Sequence, residues 1–178
     1  AFSALGPALL HAEAVMEDVY LSEDSFIAQA FPDESPQQGY LWIKGDLRQK
    51  TTEILGHKPR RIRERYWLED DRSVWILEEI GKEQPITVGI TIEHDQIVDL
   101  RILIYRESRG WEVKHDFFTR QFAEAELREP DDQDYRLDRN IDGITGATLS
   151  VRAVTRLARL ALIYLSLIHI SEPTRPSQ

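Results

Sequence analysis

The chain has 178 residues, enough to bury one sizeable core but not two domains of ordinary size. Its 31 acidic and 22 basic residues give a net charge of −9, which argues against a DNA or other nucleic-acid binder that works by neutralising phosphates. There is no Cys, which removes thiolate metal sites, Cys nucleophiles and disulfides from the chemistry open to it.

The segment Ala1 to Ala14 is small and apolar and ends in Ala12-Glu13-Ala14, an A-x-A cleavage pattern. It reads as the back half of a secretory signal peptide (residues 1–14), with an exported chain starting at Val15; the other reading is a native amphipathic first helix. A short helix is predicted over Glu23 to Ala30, capped by Ser22 or Asp24 and stopped by Phe31-Pro32, because a residue before proline avoids the helical region. Tyr40 to Ile43 reads as a strand or edge segment. A second helix is predicted from Asp46, as cap, to Leu55, with Gly56 as its stop.

From Arg60 the apolar period changes to two. Ile62, Glu64, Tyr66 and Leu68 share one strand face, with Glu64 the one misfit. Ser73 to Ile80 follows, and Ile86 to Ile92 pairs across His94-Asp95 with Gln96 to Tyr105 as a hairpin. Val88, Ile90 and Ile92 alternate with Thr87, Gly89 and Thr91, which predicts a half-buried strand. Four successive strands between helices point to an α+β domain with a mostly antiparallel meander sheet. Beyond it, Glu107 to Lys114 reads as a loop, His115 to Ala125 as a short helix, Pro130 to Asp134 as an acidic loop, and Tyr135 to Leu137 as a possible short strand.

The last helix is the most regular stretch. Arg152, Arg156 and Arg159 fall on one face, and Ala153, Val154, Leu157, Ala158 and Ala161 on the opposite one, as in an amphipathic helix packed on a core. Leu165 onward resembles the conceptual translation of a sequencing adapter, so residues 165–178 read as a non-native tail. The apolar run from Leu160 to Ile170 is in any case shorter than the roughly 18–20 residues a membrane span requires.

Few chemistries can be assembled from the remaining residues. The histidines 11, 57, 94, 115 and 169 contain no His-x-x-x-His pair, so no metal site is expected. No Gly-x-Ser-x-Gly elbow exists, and the adjacent acids Glu78-Glu79 point to opposite faces of their strand. The informative stretch is Asp142-Gly143-Ile144-Thr145-Gly146-Ala147-Thr148-Leu149-Ser150, directly ahead of the last helix. Free N–H groups and the positive helix end suit a phosphate there. A glycine turn with a Thr or Ser N-cap accounts for the same residues. No Gly-Lys-Ser/Thr follows at Walker spacing.

Asp142-x-x-Thr145-Gly146-Ala147-Thr148, ahead of a helix that starts with Arg152-Ala153-Val154, resembles the flavinylation motif of the FMN-binding domain. That domain occurs in sodium-pumping and Rnf-type redox complexes and in small exported flavoproteins. The stretches Glu78 to Lys82 and Tyr105 to Val113 read like the small stand-alone members. The resemblance implies one FMN-binding domain over residues 15–164. FMN would be joined through a phosphoester to Thr148 by a separate flavin transferase with FAD as donor. It further implies cofactor contacts from Asp142, Gly143, Thr145, Gly146, Ala147 and Leu149. It places Arg109, Gly110 and Trp111, with Glu112, beside the flavin ring, and Gly81-Lys82 less closely.

The expected role is an exported electron carrier in the periplasm or cell envelope, with membrane or periplasmic redox partners. The alternatives are a flavin-free envelope binding module that keeps the fold, and an FMN reductase with its own substrate. Two departures stand out: the chain lacks the membrane helix of the larger relatives, and it has Thr145 where Ser is frequent. The first argues against the expectation of direct membership of an ion-pumping complex.

Overall fold

The structure is a computed structural model and describes residues 16–129 and 133–171. The signal-peptide-like segment, part of the acidic loop and the chain beyond Ser171 lie outside the described residues. The elements are β1 (Asp18–Val19), α1 (Glu23–Ala30), β2 (Gln37–Trp42), α2 (Gly45–Leu55), β3 (Arg63–Glu69), β4 (Arg72–Ile80), β5 (Pro85–Glu93), β6 (Gln96–Tyr105), α3 (Asp116–Thr119) and α4 (Thr148–Ser171). Single 3-10 turns at Trp111–Lys114 and Arg120–Phe122 flank α3. All strands pair antiparallel in one six-stranded sheet of order β1-β6-β5-β4-β3-β2. This is the expected α+β meander, widened by β2 on one edge and by the two-residue β1 on the other.

Strand β5 is buried on both faces, not half-buried. Ile86, Val88, Ile90 and Ile92 face α4 together with Trp75 and Leu77 of β4. The other face is covered by α1. Phe26 lies directly over Gly89, where an added Cβ would come within 2.6 Å of its ring, and packs with Val74, Ile76 and Leu103. The small residues of β5 therefore make room for a helix, and their alternation with large ones does not mark a solvent face.

Helix α1 has the predicted bounds, with Ser22 Oγ accepting from the Ser25 N–H at 3.1 Å. Helix α2 ends at Gly56 in the left-handed conformation, as expected, but starts earlier than predicted. Lys44 holds its N-cap position, so Asp46 is no cap; it sits in the first turn, where a carboxylate complements the helix dipole. The predicted helix from His115 to Ala125 is broken into two short pieces, Asp116–Thr119 and Arg120–Phe122. The chain leaves the last of them at Ala123 because the Glu124 N–H donates to the Ile97 carbonyl (2.7 Å) and the Ala125 carbonyl accepts from the Ile97 N–H (2.9 Å). The segment Tyr135 to Leu137 contributes one bridge, Leu127 to Leu137, and no strand.

Helix α4 buries the predicted Ala153, Val154, Leu157, Ala158 and Ala161 against the sheet. It continues past Tyr164 to Ser171, with Leu165 and Ile168 buried. Its second half is apolar on more sides because α2 covers it, with Thr51 and Tyr164 sharing a hydrogen bond of 3.2 Å. No helix among the described residues is long and apolar enough to cross a membrane.

A cavity of about 50 Å³ remains between α2, β3, β4 and α4, and Glu64 lines it. Burial pushes the Glu64 carboxyl up to about 7 from 4.5, with Arg61 at 3.4 Å offsetting only part. The folded state thus holds this proton more tightly than the unfolded chain. The stability it contributes is full below about 4.5 and is lost as pH rises through about 7. Glu64→Gln is expected to flatten that decline and to stabilise the protein by about 1–3 kcal/mol near pH 8. Parallel pH–stability curves for parent and variant would rule this out. Arg61 keeps Glu78 at 3.0 Å as a second partner in the variant.

Candidate functional site

No side chain among the described residues caps the start of helix α4. Ala147 precedes it, its carbonyl accepting the first helical bond from the Val151 N–H at 3.0 Å, and its methyl group offers nothing to the N–H groups of the first turn. Gly146 lies at φ 83°, the left-handed conformation needed to turn the chain into the helix, and the Ala147 N–H closes that turn on the Ile144 carbonyl at 3.0 Å. Upstream, the Gln121 side chain clamps Asp142 by its backbone. It accepts from the Asp142 N–H at 2.7 Å and donates to the Asp142 carbonyl at 3.3 Å. Gly143 has no other atom within 4 Å of where a Cβ would stand, so the loop is open beside it.

Three hydroxyls lie along this loop, in different surroundings. Thr145 is exposed in the turn, and Thr148 is exposed at the first helical position. Ser150 is 3% exposed and hydrogen-bonded to the Tyr105 hydroxyl at 2.8 Å. The Tyr105 hydroxyl donates to the Arg109 carbonyl, so the Ser150 hydroxyl is the donor of the pair. Burial raises the Tyr105 pKa above its usual value, with Ser150 opposing. Tyr105 stays protonated and acts as a latch.

That latch brings a second loop against the first. Gly110 has φ 84°, and a Cβ on it would lie 2.5 Å from Ser150 Oγ and 2.6 Å from the Tyr105 oxygen. The 109–111 loop therefore sits directly on the first turn of α4. Trp111, 41% exposed, leads into an exposed aromatic row, with its ring edge-on to His115 at 5.6 Å and His115 stacked on Phe117 at 6.0 Å. Glu112 Oε2 is buried with no hydrogen-bond partner among the described residues, an acceptor that lacks a donor.

A third loop joins through Glu107. One oxygen of its carboxylate accepts from the N–H groups of Lys82 (2.8 Å), Glu83 (2.5 Å) and Gln84 (2.7 Å) at the β4–β5 turn. Glu107→Ala leaves these donors without a side-chain acceptor. It is expected to destabilise the fold by about 1–3 kcal/mol in urea titration, and Glu107→Gln, which keeps an acceptor oxygen, by less.

The structure therefore brings together the motif loop, the Arg109-Gly110-Trp111 loop and the Gly81-Lys82 turn. Arg109 is tied in through its carbonyl, while its side chain is exposed. Tyr105, Glu107, Gln121 and Ser150 hold the loops in place; the sequence put Ser150 in the motif stretch and Tyr105 and Glu107 in a stretch of family resemblance, but gave none of the four this role. All four act across long sequence separations, and local patterning carries no sign of such contacts.

The donor set fits a phosphate-bearing, partly aromatic ligand. It combines an uncapped helix N-terminus, an open glycine loop, exposed Trp111 and Leu149, and one unsatisfied carboxylate oxygen. Fold and site thus define an α+β domain that gathers three loops around one helix N-terminus. Residues 81–163 match the family model described as the FMN-binding domain, so this segment is similar to that family. The match supports FMN as the ligand of this segment. No curated protein matches the chain, and no solved structure does.

Proposed function

We propose that the protein is an exported electron-transfer flavoprotein that carries FMN as a phosphoester on Thr148. The observation that carries this reading is the difference among the three hydroxyls. Ser150 is buried and engaged by Tyr105, Thr145 sits in the turn, and Thr148 is exposed beside the uncapped N–H groups of α4. Those N–H groups and the helix dipole stabilise the negative phosphate oxygens of the ester. Gly143 and Gly146 leave the backbone approachable along the ribityl chain, and Glu112 supplies an acceptor for a ligand hydroxyl or N–H. Trp111 and Leu149 supply apolar surface.

In the attachment step, Thr148 Oγ1 forms a bond to the FMN-side phosphorus of FAD. The pyrophosphate P–O bond breaks, AMP leaves, and the hydroxyl proton passes to the released phosphate or to a base on the transferase. Once bound, FMN supplies one- or two-electron redox chemistry, while the chain sets its orientation and surroundings. A flavin transferase and envelope redox partners complete the proposed setting.

The test is an intact-protein mass after co-expression with a flavin transferase. The proposed reading expects a gain of one FMN minus water, mapped to the peptide that contains Thr148. An unmodified, colourless protein would favour a flavin-free binding module.

A further inference from the structure

A groove of about 570 Å³ runs beside α4 and is lined by six arginines: Arg128, Arg136, Arg139, Arg152, Arg156 and Arg159. Among the described residues Asp138 is the one carboxylate in its lining, so the described lining carries +5 on a chain whose net charge is −9. Part of the cluster is held locally. Arg139 binds Asp138 at 2.9 Å and the Ala123 and Glu124 carbonyls at 2.7 and 2.9 Å, Arg159 donates to the Tyr135 carbonyl at 2.9 Å, and Arg136 lies 3.7 Å from Asp134. Arg152 and Arg156 have no hydrogen bond or ion pair among the described residues. They stand four apart on one face of α4, an arrangement that costs helix stability unless an anion neutralises it.

We propose that this groove docks an acidic, carboxylate-rich segment of a protein partner. Arg152, Arg156 and Arg159 span roughly 10 Å of helix, farther apart than one phosphate reaches. The strongly negative remainder of the molecule opposes a long polyanion such as a nucleic acid but leaves a short acidic segment free to enter. Arg152 lies one turn beyond Thr148 on the same helix, so a partner held in the groove is brought to the α4 N-terminus. The charge cluster stands whether or not flavin is attached.

The test uses the unmodified chain and a short fluorescent polyglutamate peptide. Anisotropy at about 50 mM salt is expected to show binding that weakens markedly by about 200 mM. The double variant Arg152→Gln/Arg156→Gln is expected to bind about tenfold more weakly or worse, with unchanged far-UV circular dichroism, whereas Arg101→Gln on β6 changes nothing. Amide shifts on binding should centre on Asn140, Thr155 and Arg156. Should the double variant lose helicity, Arg152→Gln alone, at an exposed position, is read instead and is expected to weaken binding about threefold.

Four outcomes overturn the proposal: no binding by the parent, equal binding by the variant, displacement by equimolar inorganic pyrophosphate, or tighter binding of a thymidine oligonucleotide. Binding that appears only after Asp131→Asn/Asp132→Asn also overturns it, since the chain's own acidic loop would then be the occupant.

Discussion

Thr148→Ala is expected to abolish covalent flavin completely while leaving the fold intact. The residue is exposed at the first position of α4, makes no side-chain hydrogen bond among the described residues, and is replaced by a better helix former. Stability should therefore stay within about 0.5 kcal/mol of the parent. Thr148→Ser keeps an oxygen nucleophile in the same place and should retain labelling. Thr145→Ala should only reduce it, because that hydroxyl is in the turn and not on the helix. Ser150→Ala is informative in the opposite sense: it removes the Tyr105 partner, so it should loosen the loop without removing the acceptor oxygen. Flavin fluorescence on a denaturing gel, with intact mass, reads all four. Equal labelling of the Thr148→Ala protein would move the attachment elsewhere.

The second large effect is expected at Gly110. At φ 84° a side chain is strained, and its Cβ would fall within 2.6 Å of both Ser150 Oγ and the Tyr105 oxygen. Gly110→Ala must therefore push the 109–111 loop off the start of α4 or break the Tyr105–Ser150 bond. The combined strain and overpacking is about 2–4 kcal/mol, a fall in Tm of about 5–12 °C for a domain of this size. Flavin loading should drop with it. Gly110→Ala combined with Ser150→Ala removes one of the two clashes and should recover part of the loss. Full stability in the single variant would mean that the loops are not packed as described.

The sequence carried the local features of the fold well. Helix α1 was legible because Ser22 and Phe31-Pro32 mark both ends, and the β5–β6 hairpin because alternation stops at His94-Asp95. Both turn residues take left-handed angles without any glycine to announce them. Strand β1 was not legible, since two residues carry no period. The burial of β5 on both faces depended on Phe26 reaching Gly89 from α1, a contact between distant parts of the chain.

The site divides in the same way. The contiguous loop from Asp142 to Leu149 could be read directly, but the Tyr105–Ser150 contact crosses 45 residues. Three arginines of the groove were visible as one face of α4. The other three, Arg128, Arg136 and Arg139, join them only because they lie beside α4 in the fold.

Helix α4 follows every strand in chain order, yet it covers the central strands on one face. During synthesis the sheet therefore leaves the ribosome with Trp75, Leu77, Val88 and Ile90 uncovered, the kind of surface that holdase chaperones bind. The Tyr105–Ser150 bond and the seating of Gly110 on the first turn of α4 form only when that helix docks. On the proposed attachment at Thr148, a modifying enzyme that reads this loop would meet only chains whose last helix has docked, so that folding would precede cofactor loading.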